Sequence, residues 1–583
     1  MQQAGASAAA APSVWAVLQL PPDLVDRIIG QLDHNEVVTT VRLVNAAAAA
    51  RIGGPERTTV HLSQPVPPHA FAAHWLAPGA TRRLTLERRI KLQCLTAASG
   101  VVANLDVAQR ATGRAPTHEV LAAAAAAGQL AACQWLVDRI WDSGSGDDAP
   151  NAAAAGGHIH VCEWLLFEGK CVWTIGPVAE AARHGHVGCM MWLLQWWRLP
   201  DDASGEGVGA FVAGSDDILA AAAAEGCDLP FLQQVWQSMA ERLDPAKRQQ
   251  VLAAAAGSAT PDWAAKVQWL EAQGCPRSLE ATQRAAALPD AEALAHLTWL
   301  RGRGFPVSDE AVEAAASNGN MAALQYLLVE VPAPTDAQGI HRMQTPTEAA
   351  ARGGHLAALQ ALVAAGWPVV APLALGLAAR GGQLSMVLWL LALEAVLKGV
   401  AAAVRRLVPG LFRAAAESGS VELLAWLRDC GCGWDSGAYI GAAESGCVAA
   451  LEWLAERVCP MLLVTGPGSG AAAGAAAAAA VDGNLGSAYM PACDNGDLAT
   501  ARSLLQLGYP WGPVGWLFLE AAAADAPVGL LRWLLEAGCP VDLGAVRAEV
   551  ELDYEGARAA EILALLNAHE EALLAGQVAA AVG

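Results

Sequence analysis

The residues best able to hold a metal crowd into one stretch: His158, His160, Cys162, Cys171, His184, His186 and Cys189. Imidazole and thiolate are the ordinary ligands of zinc, and stacked neighbouring units could bring several of them together. Structural zinc sites usually show tight paired spacing, though, and this chain has no CxxC pair; its nearest thiols are Cys430 and Cys432. His158 and His186 also follow a glycine in a position that recurs along the chain, where other copies carry Gln129, Asn320 or Asp497. A hydrogen-bonding role in the framework is the plainer use of that position. No metal site and no cofactor are expected. Other chemistry is equally thin. There is no GxxxxGK[ST], no GxGxxG after a strand, no GxSxG and no HExxH. The expectation is a protein that is not an enzyme.

The elements that would position such residues follow from composition and period. The chain has 583 residues and a formal net charge of −21. Residues 1–50 sum to −2, residues 51–114 to +6, and the remainder to −25. Phosphate contacts need clustered Lys and Arg, so the balance predicts no nucleic-acid partner. Hydrophobic residues make up 54%, mostly through Ala, and no run reads as a membrane span, so no membrane partner is expected. No basic residue precedes Arg27, which argues against a secretory or transit segment. Thirteen dispersed Cys suggest reduced thiols, hence a cytoplasmic or nuclear location.

One pattern recurs: an Ala-rich run, a Gly, then an aliphatic stretch closing on Trp-Leu seven residues after the Gly. Eleven copies carry the Gly, and three more end at Trp269, Trp299 and Trp533. Ala favours helix, Gly can close it in a left-handed turn, and the next segment spaces its aliphatics for a second helix. Two short helices cannot bury a core alone, so units must stack into a solenoid. Trp135, Trp164, Trp192, Trp269, Trp299, Trp389, Trp426, Trp453 and Trp533 share one slot on the flank of the second helix. They predict a stripe of stacked indoles that seals neighbouring units, a packing role rather than a ligand surface.

The unit TPTEAAARGGHLAALQALVAAG, Thr345–Gly366, resembles an ankyrin repeat: Thr345-Pro346, Ala350-Ala351, Gly354-His355, Leu359, Leu362-Val363 and a closing Gly366. Most other units are shorter than the family's ~33 residues and lack Thr-Pro, which suggests trimmed turns. Near the N-terminus, Leu20-Pro21, Asp23, Leu24, Ile28-Ile29, Leu32 and Arg42-Leu43-Val44 resemble an F-box, although Ala46–Ala50 stands where that family usually has an aromatic. The fold class expected is all-α: an ankyrin-type helical-repeat solenoid preceded by a small helical F-box-like domain.

Its expected divisions are a disordered N-terminus at 1–16, the F-box-like domain at 17–52, and a connecting segment at 53–90 with short strands in TTVHL and RRLTL. The array follows at 91–570 with a low-complexity insertion at 466–484, and a tail at 571–583. The basic cluster Arg82, Arg83, Arg88, Arg89 and Lys91 reads as a solvated face balancing the acidic array, or as a site for an acidic partner.

The two resemblances together imply a protein–protein interaction protein: the substrate-recruiting subunit of a Skp–cullin–F-box ubiquitin ligase. Leu20, Pro21, Leu24, Ile28, Leu32 and Val44 would then bury into a Skp-family adaptor on a cullin complex. The array would hold an unknown protein substrate. The alternative is a non-catalytic ankyrin scaffold with no ubiquitin role, its N-terminal helices a mere cap.

Overall fold

In a computed structural model, all residues are described except 1–21, 45, 141–147, 169–170, 172–173, 198–214, 334–344, 400–405, 462–486, 513, 554–556 and 583. The expected disordered N-terminus, Leu20, Pro21 and the low-complexity insertion therefore lie outside the described residues. Among the described residues the chain is helical, with no strand. From Leu86 to Val582 it forms fifteen helix pairs, one more than the repeated sequence pattern marks; the last, Leu543–Asp553 with Ala557–Val582, lacks the Gly and Trp signature. The helix Leu86–Ala98 begins before the expected start of the array, and the expected tail continues the last helix. No helix is long and apolar enough to cross a membrane.

First helices pack on first helices, and second on second, so one hydrophobic core runs the length of the stack. The first helices are Ala-rich and approach one another closely, whereas the second helices, with Trp on their flanks, stand further apart. Each unit is therefore a wedge, and the stack curves towards its first helices. Buried Ala124, Ala182, Ala254, Ala315 and Ala415 are wholly excluded from solvent; a larger residue there would push two helices apart.

Ten marker glycines, among them Gly128, Gly157, Gly319 and Gly496, have φ between 61° and 79°, the left-handed turn that glycine adopts without strain. Gly226 is a different case. It is the last residue of the helix Asp216–Gly226 with no positive φ, and a Cβ there would stand 1.9 Å from the Arg183 carbonyl oxygen. It is small because a neighbouring backbone passes against it.

Just after the turn, a polar side chain reaches back to the preceding unit and satisfies the carbonyls that end its first helix. His158 Nε2 lies 3.1 Å from the Ala126 oxygen, and Asn320 Nδ2 donates to Ala286 O at 2.8 Å and Leu288 O at 2.6 Å. Units without the marker Gly do this from inside the second helix. His296 Nδ1 lies 2.9 Å from Ala256 O, with its ring stacked on Trp263. Lys266 is wholly buried and donates to Ala224 O (2.7 Å), Cys227 O (2.9 Å) and Ser258 Oγ (2.8 Å).

The connecting segment departs from expectation: TTVHL and RRLTL form no strands. Asn35, in the helix His34–Thr39, takes the backbone groups a partner strand would have taken. Its Nδ2 donates to His61 O at 2.7 Å and Pro65 O at 3.0 Å, and its Oδ1 accepts from His61 N–H at 2.9 Å. Thr85 leaves the second would-be strand to cap the helix Leu86–Ala98.

Two expected outcomes follow from these contacts. Gly226→Ala should lower the urea midpoint by the equivalent of ~3 kcal/mol, because the added methyl collides with backbone rather than with a movable side chain. Gly188→Ala lies within the helix Val187–Trp197, where a Cβ meets nothing within 4 Å, and should be neutral or stabilising by ~0.5–1 kcal/mol.

A third outcome concerns pH. Burial pushes the Lys266 ammonium down to about 8 from 10.5, partly offset by Asp262 and other nearby acidic groups. The folded pKa lies below the unfolded one, so between those values the unfolded chain binds more protons. This group's contribution to stability therefore rises with pH from about 8 to 10.5. The buried thiols and tyrosines, pushed up by burial, act oppositely. The difference between the native chain and Lys266→Met isolates the lysine, and it should grow in favour of the native chain across that window. A pH-independent difference in urea midpoints would refute the assignment.

Candidate functional site

Five of the seven metal-capable residues are taken up by the framework. His158 and His160 contact the carbonyls of Ala126 and Gly128, and His184 contacts Glu180 O at 3.0 Å. Cys162 and Cys189 are buried thiols in adjacent units, and the contact with Cys189, then burial, pushes the Cys162 thiol up. Among the described residues no three His, Cys, Asp or Glu side chains are placed to share a metal ion.

Of the six N-terminal residues expected to bury into an adaptor, the four that are described do not line one groove. Leu24 is 40% and Ile28 42% exposed on the helix Pro22–Ile29, and Leu32 is half-buried against Ile29, Val37, Val41 and Ile52. Val44, 45% exposed, instead lines an apolar groove of about 960 Å³ with Leu43, Val60, Phe71 and Trp75. Leu24, Ile28 and Leu32 do not line that groove.

Of the Trp slot, Trp453 is buried, and the other eight are partly buried against the continuous core. Among the described residues the slot's indoles do not stack on one another. They meet rings from other positions: Trp299 meets Trp263 at 4.9 Å, Trp453 meets Trp434 at 6.2 Å and Trp533 meets Trp511 at 6.1 Å. Trp434 and Trp511 belong to the closing turn of the preceding unit. Trp263 and Trp236, which meets Trp269 at 5.9 Å, belong instead to the second helix of the preceding unit. Arginines four residues on cover three of these rings: Arg139 over Trp135, Arg303 over Trp299 and Arg457 over Trp453, at 4.3–5.0 Å.

The edge where first helices end carries charge. Arg183 pairs with Glu180 and with Glu225 of the next unit. Arg380 donates to Glu417 at 2.7 Å, and Arg413 to Glu444 at 2.9 Å, each bridging two units.

That same edge receives the start of the array. The helix Leu86–Ala98 docks on the turns at Gly419, Gly446 and Gly496, so the curved stack closes on itself. Arg89 is the centre of the closure. Its side chain is 3% exposed and that of its partner Asp497 is 1% exposed. Arg89 donates to both Asp497 carboxylate oxygens, to Gly446 O at 2.7 Å and to Thr112 O at 3.0 Å. Asp497 is also held by Thr500, whose hydroxyl donates to it at 2.6 Å. Around this pair, Arg82 bridges to Glu452, Ala449 N–H donates to Arg82 O at 3.0 Å, and Gly113 lies against Ala499. Asp497 occupies the slot that elsewhere reaches back to a preceding helix end; here the acceptor meets a guanidinium from the first unit. The basic cluster thus has two of its arginines committed to the chain's own acidic array, a use that no local motif could reveal.

No family model matches the chain, and no curated protein matches it. Among solved structures, similar ones are of the pentatricopeptide repeat protein PPR10. One, from maize, is 12% identical with a TM-score of 0.21, covering 95% of this chain and 99% of that one. Another, of PPR10 in complex with an 18-nucleotide psaJ RNA element, is 12% identical with a TM-score of 0.21, covering 84% and 86%. These findings correct the first reading. The family resemblance to F-box and ankyrin proteins is overturned, and with it the ubiquitin-ligase receptor function and the Skp–cullin partners. The expectation of no nucleic-acid partner is corrected with it, two of the similar structures being complexes with an RNA element. At this identity and TM-score the likeness brings no ligand to the present chain.

Removing one partner of a buried ion pair leaves the other charge stranded, at ~3–5 kcal/mol. Asp497→Asn should therefore release the first unit and raise the radius of gyration measured by small-angle X-ray scattering, while helical circular dichroism stays near native. An unchanged radius would show that the pair does not hold the closure. What these sequence and structural observations establish is an all-helical repeat solenoid closed by its own first unit.

Proposed function

We propose that the chain is a non-catalytic recognition protein: a closed helical-repeat frame that holds a macromolecular ligand. The observation that carries this reading is the closure itself. Among the described residues fifteen units share one core, and the buried Arg89–Asp497 pair fixes the first unit against the thirteenth. Such arrays present extended surfaces rather than a single pocket, and a closed one presents them with little reorganisation on binding. Buried Asn320, His296 and Lys266 are engaged with the ends of neighbouring helices, which suits a frame better than a reaction centre.

The test uses the full chain with two labelled probes, an 18-nucleotide single-stranded RNA and a Lys/Arg-rich polypeptide. RNA is included because two of the similar structures hold one; the cationic polypeptide matches the charge of −21. Saturable binding of one probe, with that probe recovered unaltered by mass spectrometry, is the expected result. Chemical conversion of the probe, or no saturable binding of either, would overturn the reading.

A further inference from the structure

The closure leaves a polar cavity of about 630 Å³ along its seam. One wall is the start of the array: Arg83, Glu87 and Arg88. The other comes from units some three hundred residues away, with Arg380, Glu417, Ser420 and Glu444. We infer that this cavity binds a phosphorylated small molecule, held by Arg83 and Arg88 on one side and by the Ser420 hydroxyl of the opposite wall, which is not used as a donor among the described residues, on the other.

The argument rests on which charges are already used. Of the four arginines at the start of the array, Arg82 is engaged with Glu452 and Arg89 with Asp497. Arg83 and Arg88 line the cavity, are exposed, and have no ion-pair or hydrogen-bond partner on their guanidinium groups. The opposite wall's acids are occupied. Glu417 takes Arg380 at 2.7 Å and Arg413 at 3.5 Å, and Glu444 takes Arg413 at 2.9 Å. Glu87 is the remaining acid, in the first turn of its helix, where the helix dipole favours a negative charge. The uncommitted charge of the cavity is therefore positive, within a protein whose net charge is −21.

Two guanidiniums suit a phosphate, whose oxygens accept paired N–H donors. The volume falls in the range of small-molecule sites, ~300–1,000 Å³, and the enclosure by two walls favours a compact ligand over a chain. Because one wall comes from the first unit and the other from units the closure brings against it, the ligand would also tighten the closure, by linkage.

The probe is inorganic pyrophosphate, added to the full chain and followed by calorimetry and by melting temperature, with sodium chloride at matched ionic strength as the control. Saturable binding and a raised melting temperature are expected in the native chain. Arg83→Gln with Arg88→Gln should weaken binding by more than about tenfold and leave the circular dichroism unchanged, since both residues are exposed. Asp497→Asn, which separates the walls, should lose binding as well. No binding at millimolar pyrophosphate would overturn the inference, as would native affinity in the double variant or in an opened Asp497→Asn. None of these readouts depends on the macromolecular probes, so this inference and the proposed function fail separately.

Discussion

Everything in this molecule hangs on how one unit ends and the next begins. A helix leaves carbonyl groups without partners at its end, and in a stack they are buried. The chain solves this once per unit. A left-handed turn opens just enough space for the following side chain to reach the preceding unit's carbonyls. The identity of that side chain varies, as His158 and Asn320 show, because the requirement is only for a donor of suitable reach. The Gly that precedes it is far less negotiable, because the neighbour's ring or amide stands where a Cβ would be.

The same constraint explains the shape. Alanine on the first helices and tryptophan on the second give each unit two unequal thicknesses. Repetition then turns a local inequality into a curve, and the curve into a closure. The closure is electrostatic at its centre because the edge it meets consists of turns, with carbonyls and an Asp carboxylate exposed and no apolar face to cover. An arginine is the side chain that can satisfy several such acceptors at once.

Period and composition made the helix pairs legible, since Ala runs, Gly turns and aliphatic spacing are local signals. The indole slot was legible as a flank, but the rings that meet it, Trp434 and Trp511, come from turns of variable length and carry no period. The supposed strands were misread because alternation in TTVHL says nothing of Asn35, which lies more than twenty residues earlier and takes the hydrogen bonds. The family resemblances failed for a related reason. Small residues at a turn and aliphatics three and four apart are demanded of any paired-helix repeat, so matching them does not distinguish one family from another. Arg89 and Asp497 stand 408 residues apart, and nothing near either marks the other as its partner.

An open solenoid tolerates a change in the number of its units, because each touches only its neighbours. A closed one does not. Inserting or deleting a unit between Leu86 and Asp497 would carry the carboxylate around the curve by one step and leave Arg89 facing the wrong turn. The number of units between Leu86 and Asp497 is thus fixed by geometry, and a change of length that keeps the closure must fall where it leaves the curve unaltered: in the loops between units, or after Asp497.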